Sequence, residues 1–171
     1  MIAVLQGITI HHLLPILHDR GVHANIAVIA ASFIGPMQVL GRLAMMAIEK
    51  QVSNHQIMIY CFLTMACAIV LLYFSGISSA TLVCFVILFG SGYGIVSIMR
   101  PVIAREFLGQ SNFGAKFGVL SSTYLTGSAI SPYLGALIWG LGGYELVMLL
   151  LVGFAALGMA MYLLANRFST H

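Results

Sequence analysis

The sequence predicts an all-α membrane protein of six transmembrane helices, and three observations predict it. Hydrophobic residues make up 61% of the 171, against seven basic and four acidic ones. The charges are clustered, so that no Asp, Glu, Lys or Arg stands at positions 1 to 18, 21 to 41, 51 to 99, 117 to 144 or 146 to 166. The long third block is interrupted by Ser75-Gly76-Ile77-Ser78-Ser79 and therefore holds two spans. A helix needs about 20 apolar residues to cross a hydrocarbon core about 30 Å thick, and there it satisfies its own backbone polar groups. A soluble domain carries roughly 25% charged residues; at 6% charged this chain could not cover a water-facing surface, which excludes a soluble fold.

The expected helices run from 1 to 17, 24 to 48, 56 to 74, 80 to 104, 114 to 140 and 146 to 166. The first has neither the basic start nor the small-residue cleavage site of a secretory signal and runs directly into His18-Asp19-Arg20. It is short, as if the coding sequence began inside a longer helix. The second carries Ala27, Ala31 and Gly35 at four-residue spacing, and Gly35, Gln38 and Arg42 as a polar stripe beside Pro36. The third offers only Thr64 and a tyrosine near either end. In the fourth, Gly90, Tyr93, Ser97 and Arg100 form a stripe, and Gly90 to Gly94 is a glycine-rich run that reads as helix contact or as a flexible, ligand-adjacent stretch. In the fifth, Ser121, Tyr124, Ser128 and Ser131 recur along one face next to Pro132; at about 100° per residue they share roughly a quarter of the circumference. The sixth has only Tyr162 before Asn166, with Ala156 and Ala160 as a small-residue pair.

Alternation of sides places Arg42, Lys50, Arg100, Arg105, Lys116 and Arg167 together and leaves Arg20 alone opposite. Lys and Arg set orientation, so both termini are expected in the cytoplasm. The net charge of +3 is dispersed, with no basic run to track a phosphate backbone, and nucleic acid is not an expected partner. Cys61, Cys67 and Cys84 lie in apolar spans without metal-ligand spacing and read as packing residues, so no metal or other cofactor is expected. No hydrolase, zinc-peptidase or phosphate-loop motif is present, and no acidic residue lies inside an expected span, so enzymatic chemistry has no visible carrier.

Four polar-striped spans beside two clean ones favour a shared aqueous cavity, whose candidate lining residues are His11, His12, Gln38, Tyr93, Ser97, Arg100, Ser121, Tyr124 and Ser128. Each has a plainer alternative. Hydroxyls bond the preceding helical turn. Arg100, about 30 Å along its span at 1.5 Å per residue, either snorkels to the interface or binds an anionic solute at the inner mouth. His11 and His12 are 100° apart on their helix and serve either as hydrogen-bonded packing residues or as proton-linked or solute contacts.

The string Gly35-Pro36-Met37-Gln38-Val39-Leu40-Gly41-Arg42 resembles the loop motif of the major facilitator superfamily. The run His12 to Gly21, the glycines at 90, 92 and 94 leading to Arg100-Pro101, and Phe113-Gly114 to Gly118 are similar to the carboxyl-terminal half of bacterial permeases of that family. The resemblance spans nearly the whole chain. It implies a six-helix half built of two inverted three-helix repeats, with a small solute bound near the midplane against a complementary half, in a bacterial inner membrane. In that scheme the third helix of each repeat is peripheral, Gly35, Gly41 and Arg42 belong to the cytoplasmic loop motif, and proton coupling would fall to a histidine or to the partner. The loop lacks the acidic residue usual in the motif. The expected function is secondary active transport of a small solute; the alternative is a non-transporting membrane interaction or assembly protein, bound through its small-residue faces.

Overall fold

The computed structural model describes residues 1–169. The expected carboxyl-terminal end on the basic side, at His171, lies outside the described residues. The described chain is all-helical: α1 Ile2–Asp19, α2 Ala24–Ile48, α3 Asn54–Tyr73, α4 Ser79–Leu108 and α5 Phe113–Ser169. Local chemistry sets the ends. Ser53 and Gln56 start α3 as a reciprocal capping box, the hydroxyl accepting from the Gln56 N–H while the Gln56 amide oxygen accepts from the Ser53 N–H at 3.1 Å. The α4 helix continues beyond the expected position 104 to Leu108, where Gly109 at φ 70° lets the chain leave and Lys116 Nζ donates to the Leu108 carbonyl at 2.8 Å. Phe113 to Gly118 forms the first turns of α5, which starts one residue before the expected position 114.

Four of these helices are long and apolar enough to cross a membrane: Ala24–Ile48, Asn54–Tyr73, Ser79–Leu108 and Phe113–Arg167. The α1 helix falls short of that standard because Gln6, Thr9, His11, His12 and His18 dilute its 18 residues. The last stretch would be about 80 Å long if straight, at 1.5 Å per residue, and is broken: Gly142 (φ −162°, ψ 25°) and Gly143 (φ 68°, ψ −170°) are non-helical. The break divides α5 into a first arm, 113–141, and a second arm, 144–169. Before it, Gly127 lies beside Ala3 and Val4 and Gly135 beside His12; after it, Tyr144 stands against His12 and Gly158 against Met1. The chain therefore reverses at the two glycines.

Packing follows a crossed order. The α2 helix packs on α4, α1 on α5, and α3 on both α4 and α5. Where α2 crosses α4 the backbones nearly touch, since a Cβ added to Gly41 would lie 2.5 Å from the Ser91 Cα and one added to Gly94 would lie 2.2 Å from the Gln38 carbonyl. Gly90 and Gly92 are buried in the same way, against α2 and α3 respectively, so the glycine-rich run is contact surface, not a flexible stretch. Of the other expected small-residue faces, Ala27 is buried, but Gly35 has nothing within 4 Å and Ala156 and Ala160 are exposed; the sixth-span contact is made instead by Ala155 and by Gly158 on Phe62. The buried core runs from Leu13, Ile16, Leu72, Phe85, Phe89 and Leu151 at one end to Met45, Phe62, Met99 and Ile103 at the other. Exposed Ile26, Val28, Ile29, Phe33, Leu40 and Leu43 cover much of α2, as suits a surface in contact with hydrocarbon.

Candidate functional site

The expected residues fall into three groups. The first is a polar joint linking α1, α4 and the first arm of α5. The Tyr124 hydroxyl donates to Gln6 Oε1 at 2.9 Å, and the Arg100 guanidinium carbon lies 3.4 Å from the centre of the Tyr124 ring. Tyr93, two turns before Arg100 on α4, lies near enough to interact with both Tyr124 and Arg100. Gln6 is only 2% exposed, and its Nε2 is buried with no hydrogen-bond partner. Sequence reasoning missed Gln6. Its signal is an amide set in an apolar helix, the same signal that singles out Gln38 in the second span.

The joint carries an uncompensated charge. Arg100 takes part neither in the ion pair of Arg20 with Glu145 at 3.9 Å nor in the contact of His55 with Glu106 at 3.7 Å. The four acids, Asp19, Glu49, Glu106 and Glu145, all stand near helix ends or the α5 break. A guanidinium stacked on a phenol ring gains from the ring's negative face, but that contact does not neutralise it.

The second group seals the crossing of α1 with the first arm. Pro132 has no N–H, which deprives the Ser128 carbonyl of its helical donor; the Ser131 hydroxyl donates to that carbonyl at 2.6 Å. His12 Nε2 lies 2.9 Å from the Pro132 carbonyl, within hydrogen-bond reach. Gly7 and Gly135 make room, because a Cβ on Gly7 would lie 1.9 Å from Ser131 Oγ and one on Gly135 2.5 Å from His12 Nε2. The lower half of the fifth-span stripe is thus a sealed contact: Ser131 is wholly buried and Ser128 half-buried, while Ser121 and Tyr124 stay part-open.

The remaining residues are apart from the joint. His11 is exposed. Ser97 is exposed, with its hydroxyl donating to the Gly94 carbonyl at 2.7 Å. Gln38 meets α4 through its backbone against Gly94. Arg42 lies well inside α2, not in a loop, and its Nε is buried without a partner. A further cluster sits at the opposite side of the basic end: His55 Nδ1 is 2.6 Å from the Tyr162 hydroxyl, while Asn54 donates to Glu106, tying α3, α4 and the second arm together. Among the described residues no group of three or more His, Cys, Asp or Glu side chains is placed to hold a metal ion.

Two grooves lie apart from the joint. One of about 650 Å³ runs between α3 and the second arm, lined mostly by apolar residues such as Ile69, Leu146 and Val152, with Tyr73 and Glu145 also on its wall; another of about 390 Å³ lies between α2 and α4, lined by Ile29, Phe33, Leu82 and Val86. Their aliphatic walls suit hydrocarbon rather than a water-soluble solute, so the polar joint carries the functional argument. Comparison of the chain with protein-family models, curated proteins and solved structures finds no match to any of the three.

Proposed function

We propose that this chain is the carboxyl-terminal half of a secondary transporter of the major facilitator type, moving a small anionic solute across a bacterial inner membrane with its basic end in the cytoplasm. The observation that carries the reading is the joint itself, a cation with no acid beside it, stacked on Tyr124, whose hydroxyl is in turn bound to Gln6, among long apolar helices. A charged side chain near the inner end of a span, with no acid beside it, is a candidate for the inner mouth of a solute path.

The packing order supports the architecture. Exchanging helices one to three with helices four to six, the second arm counting as the sixth, turns the α2–α4 crossing into that of the first arm with α1. Inverted three-helix repeats have this relation. The α3 helix and the second arm correspond under the same exchange. They pack on each other and carry few polar groups inside the spans, as peripheral helices would. The complete transporter needs a complementary six-helix half, on the same polypeptide or another, to supply the opposite wall.

The test is single-cysteine accessibility in membranes, after Cys61, Cys67 and Cys84 are replaced by serine. Cysteines at Ser121, Tyr124 and Tyr93 should react with a membrane-impermeant maleimide. Those at Val28 and Leu43, which face hydrocarbon, should not. Uniform inaccessibility of the first set would favour the assembly protein, in which these polar groups only hold helices together.

A further inference from the structure

We infer that Arg100, Tyr124 and Gln6 form a clamp for the carboxylate of a small organic monoanion, with Gln6 supplying the second donor. The inference rests on the transport reading and deepens it by naming the solute class and a specificity residue.

The geometry of each side chain points to this ligand. Tyr124 covers one face of the guanidinium at 3.4 Å, which leaves the in-plane N–H groups for an oxyanion approaching from the edge. That fork matches a carboxylate with two parallel hydrogen bonds. Gln6 is 98% buried by its 2% exposure, and its two amide atoms are unequally served: Oε1 accepts from the Tyr124 hydroxyl at 2.9 Å, and Nε2 has no partner. Buried donors are almost always paired, and an orphan marks a missing acceptor. Tyr124 therefore connects the two donors, with its ring against Arg100 and its hydroxyl fixing the Gln6 amide. Because the Tyr124 hydroxyl occupies Oε1, the atom of Gln6 left over is the one that donates to an anion.

Charge sets the size of the class. One guanidinium without a carboxylate beside it balances one negative charge, so a dianion such as phosphate would bring an unpaired charge into a weakly polar setting. Tyr93, bordering both Arg100 and Tyr124, offers a phenol ring to the apolar part of the ligand.

The experiment uses the full chain at one copy per lipid nanodisc, so that no second copy covers the joint, with phenylglyoxal modification of Arg100 followed by peptide mapping. Benzoate, its neutral isostere benzamide and inorganic phosphate serve as protecting probes. Benzoate at millimolar concentration should slow modification of Arg100, phosphate should do so less, and benzamide should not. Gln6→Leu should raise the half-protecting benzoate concentration about tenfold, the loss of one charge-assisted hydrogen bond. Tyr124→Phe keeps the ring and releases Gln6, and should give a smaller rise of about threefold, which provides a second reading if Gln6→Leu does not fold. Equal protection by benzamide, or an unchanged benzoate midpoint in both variants, would overturn the clamp. If Arg100 is modified but benzoate never protects it, the clamp fails and the transport reading stands; if Arg100 is never modified, the guanidinium lies on no aqueous route and both fail.

Discussion

Glycines with the same place in a sequence motif have different physical roles here. Gly41 and Gly35 flank one motif, yet a Cβ at Gly41 meets the Ser91 backbone at 2.5 Å and one at Gly35 meets nothing within 4 Å. Gly41→Ala must push α2 away from α4 and should destabilise the chain by about 1–3 kcal/mol, the usual cost of overpacking. Gly35→Ala should be neutral or stabilising by up to about 1 kcal/mol, through helix propensity alone. Denaturation midpoints of the purified variants in detergent distinguish the two, and equal effects would mean that the crossing is looser than described. The sequence displays the four-residue spacing of small residues but not which repeat faces a neighbour, because that depends on the partner helix. The same limit explains Ser131 and His12. Proline next to a serine stripe reads as a loosened, wettable backbone. In the fold the Ser131 hydroxyl and the His12 ring meet the carbonyls that Pro132 leaves or offers, and the gap is closed.

At the scale of elements, hydropathy is the legible quantity and polarity inside a helix the misleading one. The α2, α3 and α4 helices lie close to their expected bounds because charge clusters and Ser/Gly runs mark helix ends directly. The α1 helix can carry Gln6 and Thr9 because both turn inward, Thr9 donating to the Leu5 carbonyl at 2.8 Å and Gln6 meeting Tyr124. Side chains that find partners in the bundle need not satisfy a hydropathy standard meant for lipid-facing residues. The reversal in α5 rests on two glycines of unequal importance. Gly143, at φ 68° and ψ −170°, occupies backbone space essentially restricted to glycine, whereas Gly142 at φ −162° lies outside the positive-φ region. Gly143→Ala should therefore cost about 1–3 kcal/mol. Gly140→Ala, with open space at its Cβ, should cost nothing measurable in the same unfolding assay. If Gly143→Ala were as stable as Gly140→Ala, the turn would not depend on that conformation.

For the whole molecule, the unequal distribution of Lys and Arg and the unpartnered joint make separate predictions. Lys50, Arg105, Lys116 and Arg167 gather at one end and Arg20 alone at the other, where it pairs with Glu145 and stacks on Tyr73 at 4.3 Å. Reporters fused after Lys50 and after Glu106 should accordingly register cytoplasm, and those after Gly21 and Gly143 the outside. The opposite pattern would invert the proposed orientation without disturbing the fold.

The joint predicts association. Tyr93, Ser97, Arg100, Ser121 and Tyr124 are only partly covered within this chain, and in hydrocarbon the Arg100 charge, with no acid beside it, would be costly unless paired. Lipid cannot supply that pairing, and neither can the aliphatic grooves beside α3 and α2. The surface of α1, α4 and the first arm must meet water, a second copy or a complementary half, so the isolated chain should self-associate through those helices and should not transport alone. Cross-linking from single cysteines at Ser97 and Ser121 should capture dimers, and cross-linking from Val70, on the far side against the second arm, should not. Co-expression with a complementary half should abolish the Ser97 and Ser121 dimers while restoring uptake. A purified chain that stayed monomeric in liposomes and still catalysed saturable uptake would replace the half-transporter with a self-contained carrier, because only a pathway enclosed by these helices could then keep Arg100 wet.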